Sequence, residues 1–217
     1  MIEKWLNSIQ NMDCLEGMKQ LPNKCIDLVL TDPPYGIGEA SGSIGKKRGK
    51  NKYDEYDDTI ENFMTIVLPA IKECIRVSKR MIVTPGAKNF MLYPPPDAFG
   101  CMYQPSAGGM NKWGFADSQP IFYYGKDPRI GLTMSRNSFI VTESARGINH
   151  PCPKPLEFWG KLLIKGSLEN ELVLDPFMGS GTTARACKDL GRNFIGFEIS
   201  AKYCEIANKR LQQELLF

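Results

Sequence analysis

The stretch ELVLDPFMGSGTTA (residues 171–184) predicts a buried strand, a tight glycine turn and the start of a helix. Its first part is an apolar run of the length that a strand inside a parallel sheet has. Gly179 and Gly181 then let the backbone approach a ligand closely, and the following helix offers unpaired N–H groups at its start. No lysine follows Gly181, as a P-loop would require, and the dinucleotide pattern G-x-G-x-x-G is incomplete. The stretch therefore predicts another type of ligand-binding turn in an α/β protein.

Strands alternate with helices on both sides of this turn. Such alternation is typical of βαβ units with right-handed crossovers, and it predicts a mostly parallel sheet flanked by helices. The helix over 59–79 has apolar residues at helical spacing, but Pro69 lies inside it and is expected to kink it or divide it in two. We predict strands over 5–11, 25–31, 80–86, 171–177 and 193–199, and helices over 13–22, 59–79, 154–167, 182–191 and 201–216.

Two segments lack this regular pattern. Residues 39–56 are rich in glycine and serine, are basic and then acidic, and predict a mobile loop. Residues 86–149 are the least regular part of the chain. Three consecutive prolines predict a loop over 92–100, and an aromatic strand closed by a turn is predicted over 119–128. We expect one domain, 1–217, that carries a basic loop and a small irregular insert.

The composition is that of an ordinary globular domain. Hydrophobic residues make up 42% and charged residues 24% of the 217 residues. No apolar run reaches the roughly 18 residues of a membrane span, and the first residues resemble no signal peptide, so we expect a cytoplasmic protein. Seven scattered cysteines, no C-x-x-C pair and one histidine predict reduced thiols rather than a metal site or a disulfide framework. The net charge of +3 is too small to indicate nucleic-acid binding by itself.

A second stretch, DLVLTDPPYG (residues 27–36), predicts a buried strand that ends at two consecutive prolines. Pro33 and Pro34 cannot continue a ladder or a helix, because each lacks an N–H and has a fixed φ. Asp32 and Tyr35 are therefore expected at the carboxyl end of this strand, which is where open α/β sheets bind ligands.

Two further acids sit at strand ends near the glycine turn. Glu198 ends the strand after the turn, 17 residues beyond Gly181, a spacing that suits a grip on two ribose hydroxyls. Asp175 precedes the turn and could hold a cationic group such as an amino-acid ammonium. Together they predict a nucleoside ligand with a zwitterionic tail, and the alternative is a tight turn with surface acids.

These segments resemble the DNA amino-methyltransferases that use S-adenosylmethionine. DPPY at 32–35 is similar to the catalytic tetrapeptide of that family, VLDPFMGSGTT at 173–183 to its cofactor loop, and GFEIS at 196–200 to its ribose strand. HPCPKP at 150–155 resembles the segment that encloses the methionine end. The resemblance covers 6–38 and 150–215, about half of the chain. Because the tetrapeptide precedes the cofactor loop, the motif order resembles the circularly permuted beta group, with a Rossmann-like methyltransferase fold.

The resemblance implies a role for each matching residue. The catalytic turn is Asp32, Pro33, Pro34 and Tyr35. The residues implied for S-adenosylmethionine binding are Asp13, His150, Lys154, Asp175, Pro176, Phe177, Gly179, Gly181, Thr182, Glu198 and Ile199. Two of these have plain alternatives: a helix N-cap explains Asp13 equally well, and capping or packing explains His150.

The chemistry of amine methylation accounts for these residue types. The lone pair of an exocyclic amine is delocalised into the base, so acceptors at Asp32 and at the Pro33 carbonyl would favour a pyramidal nitrogen aimed at the methyl group. Positioning then supplies much of the rate, and no metal is needed because a sulfonium is already a good leaving group. A base in a duplex must flip out to reach this turn, and Tyr35 would stack on its face.

Double-stranded DNA is the expected partner, and two segments are candidates for contacting it. Five basic residues follow the tetrapeptide, and they would grip phosphates or form an ordinary solvated loop. They are Lys46, Lys47, Arg48, Lys50 and Lys52. Target recognition is expected within 86–149, which holds Trp113, Phe122, Tyr123, Tyr124, Arg129 and Arg136. That segment is short, so we expect a short recognition site, loose specificity or a homodimer.

The expected activity is methylation of adenine N6 in DNA, in a restriction-modification or phage setting. Within the family that the chain resembles, Asp at the first position of the tetrapeptide tends to accompany adenine N6, and Ser cytosine N4. Three alternatives stay open: an amino-methyltransferase for cytosine N4 or RNA, a catalytically silent DNA-binding relative, and a small-molecule or protein-glutamine methyltransferase. The last class resembles NPPY at the tetrapeptide, and Asp32 departs from that pattern.

Overall fold

The computed structural model describes residues 2–38, 56–107, 109–132, 135–142 and 154–213. Ten strands and six α-helices lie in these ranges. The strands are β1 (Ser8–Asn11), β2 (Ile26–Thr31), β3 (Ser78–Val83), β4 (Ala98–Tyr103), β5 (Met110–Asn111), β6 (Gly114–Phe115), β7 (Ser118–Tyr124), β8 (Phe139–Ile140), β9 (Leu172–Asp175) and β10 (Asn193–Glu198). The helices are α1 (Cys14–Lys19), α2 (Ile60–Asn62), α3 (Leu68–Val77), α4 (Leu156–Gly166), α5 (Thr182–Asp189) and α6 (Ala201–Gln212). Short 3₁₀ helices cover Ile2–Trp5 and Phe90–Leu92.

Eight of the strands form one sheet, in the order β1-β10-β9-β2-β3-β7-β4-β8. The first five of these are parallel to one another, and β7 is antiparallel to both β3 and β4. Strands β5 and β6 pair separately as a small antiparallel hairpin. The predicted α/β fold, with a mostly parallel sheet flanked by helices, is confirmed.

The sheet separates two hydrophobic cores. Strand β2 is buried on both faces, with Val29 in the core under α1 and α3 and Leu28 in the core under α4 and α5. This alternation follows from the period of two residues along a strand. Phe63 and Trp159 are wholly or almost wholly buried, one in each core. Burying each such large apolar side chain stabilises the fold by about 1.5–3 kcal/mol, so both helical layers are held firmly against the central strands.

The strand order reverses between β2 and β9. The chain passes from β2 to its neighbour β3 on one side, whereas it passes from β9 to its neighbour β10 on the other. Ligands of open α/β sheets bind in the crevice at such a switch point, outside the carboxyl ends of the strands. Both turns singled out in the sequence, after β2 and after β9, start in this crevice.

The helix predicted over 59–79 runs through Pro69 without ending there. A π-helical turn, Phe63–Val67, precedes α3, and the N–H of Leu68 donates to the carbonyl of Phe63 five residues earlier. Pro69 thus occupies the first turn of α3, where its missing N–H is tolerated best. The prolyl ring changes the local hydrogen-bond pattern and leaves a continuous helical segment.

Part of the predicted irregular insert belongs to the main sheet. Ala98, Phe99 and Gly100 fall in the segment predicted as a loop, yet they begin β4, which pairs with β7 over six positions. A Cβ on Gly100 would lie 1.8 Å from the carbonyl oxygen of Asn137, so glycine is required there for close packing of the neighbouring chain. Tertiary pairing overrides the local loop composition, and the prediction for 98–100 is wrong.

Two general features concern the described residues alone. None of their helices has the length and apolar composition needed to cross a membrane. Within the same ranges, no group of three or more side chains of the metal-binding types lies close enough together to hold an ion.

Candidate active site

One cavity lies at the switch point and joins the two turns. Strands β2 and β9 are neighbours, and the Thr31 hydroxyl at the end of β2 donates to Asp175 at the end of β9 over 2.7 Å. The sequence-predicted residues that line this cavity are Asp13, Asp32, Pro33, Pro34, Tyr35, Lys154, Asp175, Pro176, Phe177, Gly179, Thr182, Glu198 and Ile199.

The Asp32 carboxylate accepts from three donors. Its Oδ1 accepts from the Tyr35 hydroxyl and from the Thr84 hydroxyl, each at 2.5 Å. Its Oδ2 lies 3.1 Å from the Lys154 ammonium. Because Lys154 is only 8% exposed, its charge is matched by a partner at close range, as a buried ammonium requires.

Lys154 lies with the catalytic turn, although the sequence implied contact with the cofactor. Its Nζ donates to the Tyr35 hydroxyl over 2.8 Å and lies 5.5 Å from the centre of the Tyr35 ring. Lys154, Asp32 and Tyr35 therefore form one polar cluster. The lysine still lines the cavity that the two turns share.

Three residues that the sequence did not single out hold the turn after Pro34. The Asp58 carboxylate accepts from the Gly36 N–H over 2.6 Å, and the Asn89 amide donates to the Tyr35 carbonyl over 2.7 Å. Gly86 lies against the Tyr35 ring, where a Cβ would come within 2.7 Å of ring carbons. Burial raises the pKa of the Asp58 carboxyl, against the opposing effect of backbone N–H donors. The Asp32–Tyr35 turn is thus held by residues that lie more than 20 positions further along the chain.

Asp175 ties β2, β9 and α5 together inside the protein. Its carboxylate accepts from the hydroxyls of Thr31 and Thr183 and from the Phe177 N–H. The residue is 3% exposed, and burial raises the pKa of its carboxyl from 3.8 to about 6, although these hydrogen bonds oppose the rise. Trp159 supports the same network, since its indole N–H donates to the Thr183 hydroxyl over 2.7 Å.

Glu198 closes the glycine turn from the neighbouring strand. Its Oε2 accepts from the Gly179 N–H over 2.7 Å and its Oε1 from the Ser200 N–H over 2.9 Å. Asp13 has the helix-capping role that the sequence left open, because its Oδ1 accepts from the N–H groups of Leu15 and Glu16. Both acids also line the cavity, so capping and ligand contact are compatible.

Gly181 does not line the cavity with the other predicted residues. It has φ +79° and packs against α6, where a Cβ would lie 2.8 Å from the Cβ of Ala207. Helix packing and backbone conformation account for the glycine, and its predicted contact with the cofactor stays a prediction. His150 and the five basic residues at 46–52 lie outside the described residues, and their predicted roles stay predictions.

Several residues of the cavity were missed by sequence reasoning. Ser200 is the most informative: its hydroxyl is buried at the cavity wall, and the described part of the chain offers it no hydrogen-bond partner. The sequence could have indicated Ser200, because it lies two residues after Glu198, at the end of the same strand. The other missed lining residues are Met12, Cys14, Tyr56, Ile66, Trp159, Met178, Ser180, Thr183 and Tyr203.

Comparison with known proteins bears directly on this site. A family model described as DNA methylase, of the N6/N4 type, matches residues 124–209, which include the glycine turn and Glu198. The part of the chain from β7 to α6 is therefore similar to the N6/N4 DNA methylases. The resemblance drawn from the tetrapeptide and the glycine turn is confirmed.

Two relatives and two solved structures resemble the chain over nearly its whole length. The type II methyltransferase M.HinfI of Haemophilus influenzae is 26% identical over 98% of this chain and 70% of its own length. M1.MboII of Moraxella bovis, also a type II methyltransferase, is 26% identical over 96% of this chain and 97% of its own. The M1.HpyAVI–SAM complex has a TM-score of 0.69 at 23% identity and covers 95% of this chain and 99% of its own. The cytosine-N4-specific PvuII DNA methyltransferase has a TM-score of 0.67 at 16% identity, over 97% and 88% of the two chains. At these identities the two structures establish the fold.

Proposed function

We propose that this methyltransferase transfers a methyl group from S-adenosylmethionine to the N6 amino group of adenine in double-stranded DNA. The observation that carries the proposal is the shared cavity: the Asp32–Tyr35 turn and the Gly179 turn line one space although about 140 residues separate them in sequence. A methyl donor on one turn and an amine on the other would meet there.

The residues around the glycine turn fit the cofactor. Glu198 supplies two acceptor oxygens for ribose hydroxyls, and the buried Ser200 hydroxyl beside it still has donor and acceptor capacity to offer a ligand. The Gly179 backbone allows close approach, and Phe177 and Ile199 supply apolar contact for an adenine ring. When bound, S-adenosylmethionine supplies an electrophilic methyl group on a sulfonium. In the resting protein Asp175 is occupied by three donors, so we assign it to holding the turn as well as lining the site.

The catalytic turn orients the amine that is to be methylated. Asp32 and the Pro33 carbonyl are acceptors only, so together they can take both N–H bonds of an amino group and leave its lone pair directed into the cavity. The two prolines hold these acceptors stiffly, which removes the need to reorganise them during the reaction. Tyr35 at the cavity wall supplies an aromatic surface for a base that has left the duplex.

Asp32 favours adenine, and one observation favours a second candidate. The Asp form of the tetrapeptide supports adenine N6 through the family resemblance. The likeness to the cytosine-N4-specific PvuII enzyme supports cytosine N4, because that protein shares the fold over nearly the whole chain. Both amines are aromatic NH₂ groups that the same two acceptors can orient.

We further propose that residues 86–149 contact DNA through the β5–β6 hairpin. Phe122, Tyr123 and Tyr124 are buried in β7, so they belong to the sheet. Trp113, by contrast, is 99% exposed in the hairpin turn, which connects the carboxyl end of β4 to the start of β7. Since β4 points the same way as β2, the hairpin emerges at the same edge of the sheet as Asp32, and a two-stranded ribbon fits a DNA groove.

The deciding experiment identifies the methylated base. Duplex DNA is incubated with the protein and S-adenosylmethionine, digested to nucleosides and analysed by mass spectrometry, with Asp32→Ala as the inactive control. N6-methyl-2′-deoxyadenosine in the wild-type reaction alone is the expected product. N4-methyl-2′-deoxycytidine would replace the adenine assignment by the second candidate, and unmodified DNA over a range of sequences would overturn the proposal.

The same assay tests the hairpin. Trp113→Ala should lower methylation of duplex DNA about tenfold or more if the side chain contacts bases or wedges between them. Leu132→Ala is the matched control, because Leu132 is also highly exposed but follows β7 at the opposite edge of the sheet. Equal activity of both variants would contradict the proposal that the hairpin contacts DNA.

A further inference from the structure

The Thr84 hydroxyl donates to the Asp32 carboxylate although Thr84 does not line the cavity. Thr84 follows the last residue of β3, the strand beside β2, and it is wholly buried. Its Oγ1 donates to Asp32 Oδ1 over 2.5 Å, and its backbone N–H donates to the Thr31 carbonyl over 3.2 Å. Thr84 is thus bonded through both its backbone and its side chain to the strand end that carries Asp32.

The other two donors to Asp32 differ from Thr84 in location. Tyr35 and Lys154 both line the cavity, whereas Thr84 does not. A base that enters the cavity meets Tyr35 and Lys154 first, so their bonds to Asp32 are the ones that the substrate can alter. Thr84 is wholly buried outside the cavity lining, so a base can enter the cavity without replacing the Thr84 hydroxyl.

A carboxylate attached to a turn can rotate about its side-chain bonds unless something fixes it. A hydrogen bond to one oxygen from a strand end sets that rotation and directs the remaining acceptor sites toward the cavity. A hydrogen bond to a charged group contributes more free energy than one between neutral groups. Displacing a reactive group by about 1 Å lowers the rate roughly a hundredfold.

We propose that Thr84 is a positioning residue for amine methylation, acting through Asp32 by holding Oδ1 while the substrate replaces or rearranges the donors that line the cavity. This inference rests on the proposed function, since it requires Asp32 to accept a hydrogen bond from the substrate amine. It also ranks the donors: losing the Thr84 hydroxyl should impair transfer more than losing the Tyr35 hydroxyl, provided that the Tyr35 ring is kept.

A purely structural role makes a different prediction. A buried hydroxyl needs a hydrogen-bond partner, and Asp32 could serve only that purpose. Replacing Thr84 by the isosteric valine would then lower the stability of the fold, while the activity of each folded molecule would stay unchanged. Stability and turnover therefore separate the two roles.

The test compares kcat, the KM for S-adenosylmethionine and the thermal midpoint in four variants. Thr84→Val should lower kcat about 10- to 100-fold with the KM within about threefold. Thr84→Ser should restore kcat to within about threefold of wild type, and Tyr35→Phe should lose less kcat than Thr84→Val. Thr65→Val is the matched control, because the Thr65 hydroxyl donates to the Glu61 carbonyl on an exposed helix surface.

Each outcome is decisive. An unchanged kcat in Thr84→Val, a loss that Thr84→Ser does not rescue, or a larger loss in Tyr35→Phe would overturn the positioning role. If Thr84→Val does not accumulate as folded protein, Thr84→Ala provides the same comparison against Thr84→Ser. Failure of the proposed function is distinguishable, because the wild-type enzyme would then methylate no amine at all.

Discussion

At the scale of single residues, two carboxylates of one cavity are held by different donors. Asp32 accepts from the side chains of Tyr35 and Thr84, whereas Glu198 accepts from the backbone N–H groups of Gly179 and Ser200. We therefore expect Asp32→Ala to lower methyl transfer about a hundredfold or more and to leave S-adenosylmethionine affinity within a few-fold. Glu198→Ala should instead weaken that affinity about 10- to 100-fold, because it loses charge-assisted hydrogen bonds. Calorimetric titration and a single-turnover assay measure the two quantities.

The control for this pair is Glu205→Ala, since Glu205 is exposed on α6 and does not line the cavity. It should match wild type in both measurements. Equal loss of cofactor affinity in the Asp32 and Glu198 variants would contradict the separate roles.

Sequence reasoning found the residues that sit in local motifs and missed those that act across the fold. Asp32 follows a predicted strand and Glu198 ends another, so their place at the carboxyl edge of the sheet could be predicted from the sequence. Thr84 and Asn89 contact the catalytic turn from more than 50 residues away, and nothing in their own neighbourhood indicates a ligand. Only the pairing of β2 with β3 brings them there.

At the scale of elements, the glycine turn is shaped by helix packing as much as by a ligand. Gly181 and Gly191 have similar positive φ values, +79° and +69°, but only Gly181 is crowded, by Ala207 on α6. Gly191→Ala should cost about 1–2 kcal/mol of unfolding free energy, from backbone strain alone. Gly181→Ala should cost about 1–3 kcal/mol more, because the new methyl group overpacks the contact between α5 and α6. Urea unfolding measures both.

The comparison isolates the contact, since the two substitutions share the backbone strain. Equal destabilisation by the two alanines would show that α6 moves away without cost, and the packing explanation for Gly181 would be wrong.

Elements with a strong local pattern were predicted well, and the exceptions have physical causes. The strand ending in Asp175 and the helix after Gly181 follow directly from the apolar run and the glycine turn. The course of the helix through Pro69 depends on a π turn that no spacing rule predicts. Strand β4 depends on pairing with β7, which outweighs the proline-rich composition just before it.

At the scale of the whole molecule, alternating strands and helices were sufficient to predict the parallel half of the sheet. The antiparallel half, formed around β7, could not be derived in that way, because its strands pair non-sequentially and no helix separates them in the described part of residues 98–140. The location of the site followed from the parallel half alone, since the switch point lies between β2 and β9.

The same switch point should make stability depend on pH. Burial raises the pKa of the Asp175 carboxyl to about 6 in the folded protein, against 3.8 for an ordinary aspartate. An acid with a raised folded-state pKa binds its proton more tightly in the native state than in the unfolded state. Its contribution to stability is therefore fully present below pH 3.8 and is lost as the pH rises through about 6.

Asp175→Asn removes this titration and keeps an acceptor for Thr31 and the Phe177 N–H. The free energy of unfolding of the wild type, measured relative to Asp175→Asn by urea denaturation without cofactor, should fall by about 2 kcal/mol between pH 4.5 and pH 7.5. Other titrating groups act on both proteins and cancel in the difference. A difference that stayed constant with pH would show that Asp175 ionises inside the protein as it does in water, and a rising difference would show that its three donors outweigh the cost of burial.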